Sequence, residues 1–153
     1  MIIRSADPKD ADGIAQVLDA LTQAGKRSRP SDRAFALSNY VAHPNKIACH
    51  VAVADDGTVL GFQSFKLALD GNEYGAPPGW ALIGTHIHPD AARCGIGQKL
   101  FAATRASAQA AEVPAIEAFI GATNLEGQAY YEAMGFRDYR KAEGAICKCF
   151  NLR

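Results

Sequence analysis

The chain has 153 residues, of which 48% are hydrophobic and 21% are charged. This length suits one domain over residues 1–153 that buries a core without disulfide bonds or a metal ion. Lysine plus arginine number 16, as do aspartate plus glutamate, so the formal net charge is zero. A neutral chain has no electrostatic reason to bind nucleic acid or an anionic membrane, and we expect neither partner.

The sequence begins with a predicted strand over residues 2–5 and a predicted helix. Asp7 is a residue type that caps helices, and Pro8 suits the first helical turn. The next apolar residues recur at the spacing of one helical face: Ile14, Val17, Leu18 and Leu21. This face predicts a helix that lies on a sheet, and Gly25 marks its end.

A basic loop over residues 26–30 leads to a second predicted helix. Ser31 or Asp32 supplies its N-cap, and the helix is expected to reach about Ala42. Both predicted helices therefore precede the main run of strands.

The middle of the chain predicts three strands. Residues 47–54 alternate between apolar and polar or small side chains, and Asp55-Asp56-Gly57 is a strong hairpin signal. The return strand covers residues 59–69. A loop over residues 70–79, rich in glycine and proline, then leads to a strand over residues 80–87.

The last third alternates helices and strands. An alanine-rich helix reaches about Ala111, and a strand over residues 113–121 and a helix over residues 124–134 follow. The final strands cover residues 136–141 and 145–151. The order β-α-α-β-β-β-α-β-α-β-β predicts an α/β (mixed α+β) fold, in which a twisted mixed sheet of about seven strands carries helices on both faces.

The four cysteines, Cys49, Cys94, Cys147 and Cys149, form neither a C-x-x-C pair nor a zinc pattern with histidine. We expect free thiols in a reducing cytoplasm and no metal site. The first residues lack the apolar run of a signal peptide, and no segment reaches transmembrane length. A cytoplasmic location is the resulting expectation.

Residues 83–100 carry the first functional signal, because a strand is followed by a glycine turn and then at once by a helix. Such a turn aims backbone N–H groups at one point before the helix, where they bind anions. Five residues supply the expected donors: Cys94, Gly95, Ile96, Gly97 and Gln98. Rossmann and P-loop glycine patterns are both absent, so a plain tight turn remains the alternative.

Residues 124–136 carry the second signal. Four of them share one face of the predicted helix: Asn124, Gly127, Gln128 and Tyr131. Gly135 occupies the position of a helix C-terminal glycine, and Phe136 opens the next strand.

Together these stretches resemble the GNAT family of N-acetyltransferases. Residues 87–100 are similar to its acetyl-CoA motif, [Q/R]-x-x-G-x-[G/A], and residues 124–136 to its motif N-x-x-[A/G]-x-x-x-Y-x-x-x-G-F. The resemblance implies acetyl-CoA as cosubstrate. One position departs from the pattern: Ala92 stands where the family has glutamine or arginine. Arg93 is one place later and is a candidate replacement, and Cys94 fills a position that is commonly basic.

The resemblance also implies where the cosubstrate lies. The strands over residues 80–87 and 113–121 are expected to splay apart and admit the pantetheine arm. The backbone from His86 through Ile87 to His88 would pair with its amides, and Asn124 would bind nearby or only cap its helix.

Direct attack of an amine on the thioester needs an acid for the departing thiolate and a base for the amine. The family pattern places the acid at Tyr131, which is otherwise a core aromatic residue, and Tyr130 is the weaker candidate. His86 is the candidate base because histidine has a suitable pKa, with Glu117 on the neighbouring strand and water as alternatives.

The acceptor pocket is expected between the first two helices and the loop over residues 70–79. Lys26, Arg27 and Arg29 either form a solvated basic loop or face the cleft, where they would favour a carboxylate or phosphate. A small-molecule primary amine is the leading acceptor. A protein lysine or N-terminal amine, and a non-catalytic acyl-CoA-binding module, are the alternatives. A homodimer is a further expectation from the resemblance alone.

Overall fold

The computed structural model describes residues 1–153 and contains one seven-stranded sheet with the order β1-β2-β3-β4-β5-β7-β6. The strands are β1 (Ile2–Ser5), β2 (Lys46–Val53), β3 (Val59–Leu67), β4 (Ala81–Ile87), β5 (Ala115–Gly121), β6 (Arg137–Ala142) and β7 (Ala145–Asn151). Only β4 and β5 pair in parallel, and the other neighbours are antiparallel. The predicted mixed sheet of about seven strands is therefore confirmed.

Four α-helices flank this sheet: α1 (Ala11–Gln23), α2 (Arg33–Ala36), α3 (Ile96–Ala110) and α4 (Leu125–Met134). The apolar side chains of α1 pack with those around α2 in one buried cluster. Those of α3 and α4 pack in a second cluster that includes inward-facing residues of β4 and β5. The helices thus cover both faces, as the sequence predicts.

The second predicted helix is shorter than expected. Its α-helical part ends at Ala36, and residues Leu37–Val41 form one π-helical turn, closed by the Ala42 N–H donating to the Leu37 carbonyl at 2.7 Å. This wider turn places the Tyr40 ring 4.9 Å from the Phe62 ring of β3. Packing of Tyr40 against the sheet therefore overrides the regular helical spacing.

No helix of the protein is long and apolar enough to cross a membrane.

Candidate functional site

The sheet opens between its two parallel strands. Their ladder consists of three residue pairs and ends at Ile83 opposite Ala118, although β4 continues to Ile87 and β5 to Gly121. The other edge of β4 stays paired with β3 as far as Ile87. The carboxyl halves of β4 and β5 therefore form the walls of a split in the sheet.

Backbone groups of β4 face this split. The His88 N–H donates to the Leu60 carbonyl of β3 at 2.8 Å. Because hydrogen-bonding directions alternate along a strand, Ile87 and Thr85 direct their backbone groups away from β3 and into the split. His88 differs from expectation, since its carbonyl also accepts from Ala91 and both of its backbone groups are engaged within the protein.

A run of unpaired donors follows β4 after a 3-10 helical turn over Pro89–Ala91, in the segment we call the backbone cradle (residues 93–98). None of its six N–H groups has a hydrogen-bond acceptor in the protein. Gly95 is the N-cap residue of α3, with φ of 75° and no side-chain cap. Such donors at the N-terminus of a 15-residue helix fit a phosphate group.

The two glycines of the cradle are required for different reasons. Gly95 has a left-handed backbone and open space around the position of a Cβ. At Gly97, a Cβ would lie 2.5 Å from Cε1 of Tyr130, so the tyrosine ring already excludes a side chain. The sequence-based reason for Gly97, access for a phosphate, is therefore incomplete.

Two adjacent tyrosines on α4 connect the cradle to the split. Tyr130 donates its hydroxyl to the Gly97 carbonyl at 2.7 Å and accepts from Gln63 Nε2 at 3.0 Å. Gln63 also donates to Thr85 Oγ1 at 2.9 Å, and Thr85 Oγ1 lies 2.8 Å from the Tyr131 hydroxyl. The interpretation of Tyr130 as only a weaker acid missed this contact, which joins residues 33 positions apart.

Tyr131 is 6% exposed, and burial raises its pKa well above the ordinary value of 10. The hydroxyl therefore keeps its proton at neutral pH and is available as a donor. The hydroxyl lies 2.8 Å from Thr85 Oγ1, beside the split, and the role of Tyr131 as an acid stays a prediction.

His86 lies on the opposite face of the sheet from Thr85. Its ring stacks on Phe62 at 4.7 Å and lies 5.5 Å from the Tyr40 ring. Burial, followed by the charges of Arg27, Arg29 and Lys66, lowers the pKa of His86 to about 3. A histidine with this pKa is a weak proton acceptor at neutral pH, which argues against its expected role as general base.

This pKa predicts an acid-sensitive stability. In the unfolded chain His86 binds a proton near pH 6.5, whereas the folded protein resists protonation until about pH 3. Above pH 6.5 this group therefore does not reduce the free energy of unfolding. As the pH falls from 6.5, the free energy of unfolding decreases by at most about 1.4 kcal/mol per pH unit because of this group. Urea denaturation at pH 7 and pH 5 should show a smaller loss for His86→Gln than for the wild type. Equal losses in both proteins would contradict the assigned pKa.

Glu117 on β5 lies on the same face of the sheet as His86, and one of its carboxylate oxygens has no hydrogen-bond partner. Its side chain is fully buried, and Oε1 accepts from Arg140 Nη2 at 2.6 Å, from Arg140 Nε at 3.0 Å and from the Tyr139 hydroxyl. Oε2 has no hydrogen-bond partner. An ammonium or amine N–H is the kind of group that would satisfy this oxygen.

A cavity of about 210 Å³ lies on this face, and we call it the acceptor cavity. Its lining includes Arg27 and Arg29 from the loop after α1, Lys66 from β3, His86 from β4 and Glu117 from β5. Lys26 does not line it, because its Nζ binds Glu126 of α4 at 3.2 Å. The basic loop is therefore divided between the surface and the cavity.

Asn124 acts as a helix cap. Its Oδ1 accepts from the Gly127 N–H at 2.9 Å, at the start of α4. Gln128 Nε2 donates to the carbonyls of Gly121 and Ala122, which fixes α4 to the end of β5. These contacts position Tyr131 at the split.

A mixed sheet that is split between two parallel strands, with a backbone cradle beside the split, is the architecture expected from the resemblance to the GNAT family. The family model described as the Acetyltransferase (GNAT) family matches residues 14–136, and the chain belongs to this family. No functionally curated protein matches the sequence significantly.

Solved structures share the whole fold. A GCN5-related N-acetyltransferase from Kribbella flavida has a TM-score of 0.81 at 20% identity and covers 99% of this chain and 97% of its own. PaiA N-acetyltransferase from Thermoplasma acidophilum, in complex with coenzyme A, has a TM-score of 0.76 at 16% identity, and the match covers 99% of this chain and 98% of that protein. YncA from Salmonella typhimurium, with its cofactor acetyl-CoA, has a TM-score of 0.70 at 20% identity, and the match covers 99% of this chain and 94% of that protein. The last two structures contain CoA and acetyl-CoA, respectively.

Proposed function

We propose that the protein transfers the acetyl group of acetyl-CoA to a primary amine of a small molecule. The observation that supports this most is the position of the backbone cradle, whose six unpaired N–H groups follow, after one 3-10 helical turn, the strand that borders the split. This arrangement is suited to an anion at the cradle and a thioester at the split.

The cosubstrate is proposed to use backbone groups at both points. The cradle, from Arg93 through Cys94 and Ile96 to Gln98, donates to the pyrophosphate. Thr85 and Ile87 offer their free backbone groups to the pantetheine amides. These donors do not depend on side-chain identity, so Ala92 does not prevent binding, and exposed Arg93 stands beside the phosphates.

The reaction is proposed to proceed by direct attack. The neutral amine forms the new C–N bond at the thioester carbon, the C–S bond breaks, and the thiolate takes a proton from the Tyr131 hydroxyl. The attacking nitrogen loses one proton to become the amide, and an equivalent proton restores the Tyr131 hydroxyl. A lysine-like amine has a pKa of about 10.4 and must first lose a proton. Glu117 is the proposed acceptor for that proton, because it lines the cavity and its Oε2 has no hydrogen-bond partner, whereas the His86 ring is stacked on Phe62.

The size of the acceptor cavity favours a small molecule over a protein segment. Its volume of about 210 Å³ is below the roughly 300–1,000 Å³ typical of pockets for drug-sized ligands. Walls from β3, β4, β5 and two loops surround it, so an acceptor of a few heavy atoms fills it.

A CoA-release assay over small amines, amino acids and lysine-containing peptides tests this function. We expect acetyl-CoA-dependent release with members of the first two groups and little with peptides. Release with peptides alone would assign a protein acceptor. Tight binding of acetyl-CoA without release in any group would make the protein a non-catalytic acyl-CoA-binding module.

A further inference from the structure

Three cationic side chains from two segments of the chain line the acceptor cavity. Arg27 and Arg29 come from the loop between α1 and α2, and Lys66 comes from the C-terminal end of β3. Together we call them the cationic subsite.

None of the three has an anionic partner. Arg27 Nη1 donates to the carbonyls of Arg29 and Pro30 at 2.8 and 2.6 Å, and its Nη2 is buried without any acceptor. Arg29 donates one side-chain hydrogen bond, to the neutral Tyr74 hydroxyl at 3.3 Å, and its guanidinium lies 5.4 Å from the centre of the Phe35 ring. Lys66 donates to the amide oxygen of Asn39 at 3.4 Å, and its Nζ lies 5.3 Å from the centre of the Tyr40 ring. Burying a donor of a charged group without an acceptor is costly, so this arrangement calls for an anion.

The two other cationic residues that are not exposed are paired: Arg140 binds Glu117 at 2.6 Å, and Lys148 binds Glu132 at 2.8 Å. Arg27 and Lys66 are therefore exceptions among the cationic residues that are not exposed. Burial and the nearby Arg29 charge lower the pKa of Lys66, and the opposing charge of Glu73, which forms no salt bridge with it, offsets only part of this effect.

An unpaired anionic oxygen lies opposite the subsite. Lys66 is in register with Leu82 of β4, which is in register with Glu117 of β5. Two strand spacings separate the backbones of Lys66 and Glu117 by roughly 10 Å. A small molecule with an anionic group at one end and an amine at the other spans this distance between the two side chains.

We propose that the cationic subsite binds a carboxylate or phosphonate of the acceptor, so that the acceptor is a primary amine bearing an anionic group. The inference rests on the proposed function, because it assigns the acceptor of that reaction. Glu117 Oε2 receives the amine, and Arg27, Arg29 and Lys66 hold the anion. Amino acids and aminoalkylphosphonates have this chemistry.

The test compares matched acceptors. Amino acids are assayed beside their carboxamides, and aminoalkylphosphonates beside their methyl diesters, with the wild type at saturating acetyl-CoA. We expect kcat/KM to fall about 10- to 100-fold when the anion is neutralised. In Arg29→Gln and Arg27→Gln this preference should shrink at least several-fold, mainly through the acceptor KM. Lys26→Gln is the control, since Lys26 lies on the same loop but binds Glu126, and it should keep the full preference.

Calorimetry with N-acetylated amino acids and their amides, in the presence of CoA, separates this inference from the proposed function. If the acids bind more tightly than the amides but no amine is acetylated, the anion subsite stands and the transfer function fails. If amides are acetylated and bound as well as acids, the anion subsite is wrong and the transfer function stands. Binding of neither product would also overturn the subsite.

Discussion

Replacement of Tyr131 with phenylalanine is expected to lower kcat by roughly 10²- to 10⁴-fold, the usual contribution of general acid catalysis. The hydroxyl matters only when negative charge develops on sulfur, so the KM for acetyl-CoA should change little. Packing should survive, because the ring stays and Thr85 Oγ1 keeps its hydrogen bond from Gln63. Steady-state kinetics at varied acetyl-CoA, with thermal unfolding in parallel, measure both quantities.

Tyr130→Phe is the matched control, and the structure assigns it a different result. It removes the hydrogen bond to the Gly97 carbonyl and should therefore act on acetyl-CoA affinity rather than on kcat. A kcat loss below tenfold in Tyr131→Phe would leave that residue a packing role. A larger kcat loss in Tyr130→Phe would transfer the acid to the preceding residue.

The second large effect is expected from Gly97→Val. A Cβ at this position would meet the Tyr130 ring at 2.5 Å, so the ring must move and release the Gly97 carbonyl. Overpacking of this kind costs about 1–3 kcal/mol, which corresponds to roughly a 10- to 100-fold weaker binding of acetyl-CoA if the cradle absorbs the strain. Calorimetry measures the dissociation constant. Ala92→Arg, an exposed change beside the cradle, should alter it far less.

A double-mutant cycle identifies what excludes a side chain at Gly97. If the Tyr130 ring is responsible, Gly97→Ala should weaken binding clearly in the wild type and much less in the Tyr130→Ala background. The same penalty in both backgrounds would show that the phosphate itself needs the space. Normal affinity of Gly97→Val would place the anion site elsewhere.

The sequence predicted the parts of the fold that depend on local backbone conformation. Gly95 and Gly135 both have left-handed φ at helix ends, and the turn at Gly57 closes the hairpin of β2 and β3. Such positions carry their own signal, because few residues other than glycine adopt these angles. The turn of the cradle follows from Gly95, whereas the split between β4 and β5 was expected only from the resemblance to the family.

The acceptor side was less accessible because it depends on packing between distant segments. Lys66, Arg29 and Glu117 come from three segments, and only the assembled fold shows two cations without a salt bridge near a carboxylate that has one oxygen without a partner. The weak basicity of His86 likewise arises from burial and from those distant charges. One part of the site's hydrogen-bond network can be read from the sequence. Gln63 is a polar residue within an apolar strand, and a polar side chain that is buried in a sheet needs hydrogen-bond partners.

Simultaneous quantification of CoA and N-acetylated amine in one reaction tests the central claim most directly. Mass spectrometry of a reaction with acetyl-CoA and an anionic primary amine should show the two products in equal amounts, with the protein mass unchanged. Equal amounts are expected because the amine attacks the thioester directly. CoA release without the acetylated amine would show thioester hydrolysis instead, and that result would contradict the account.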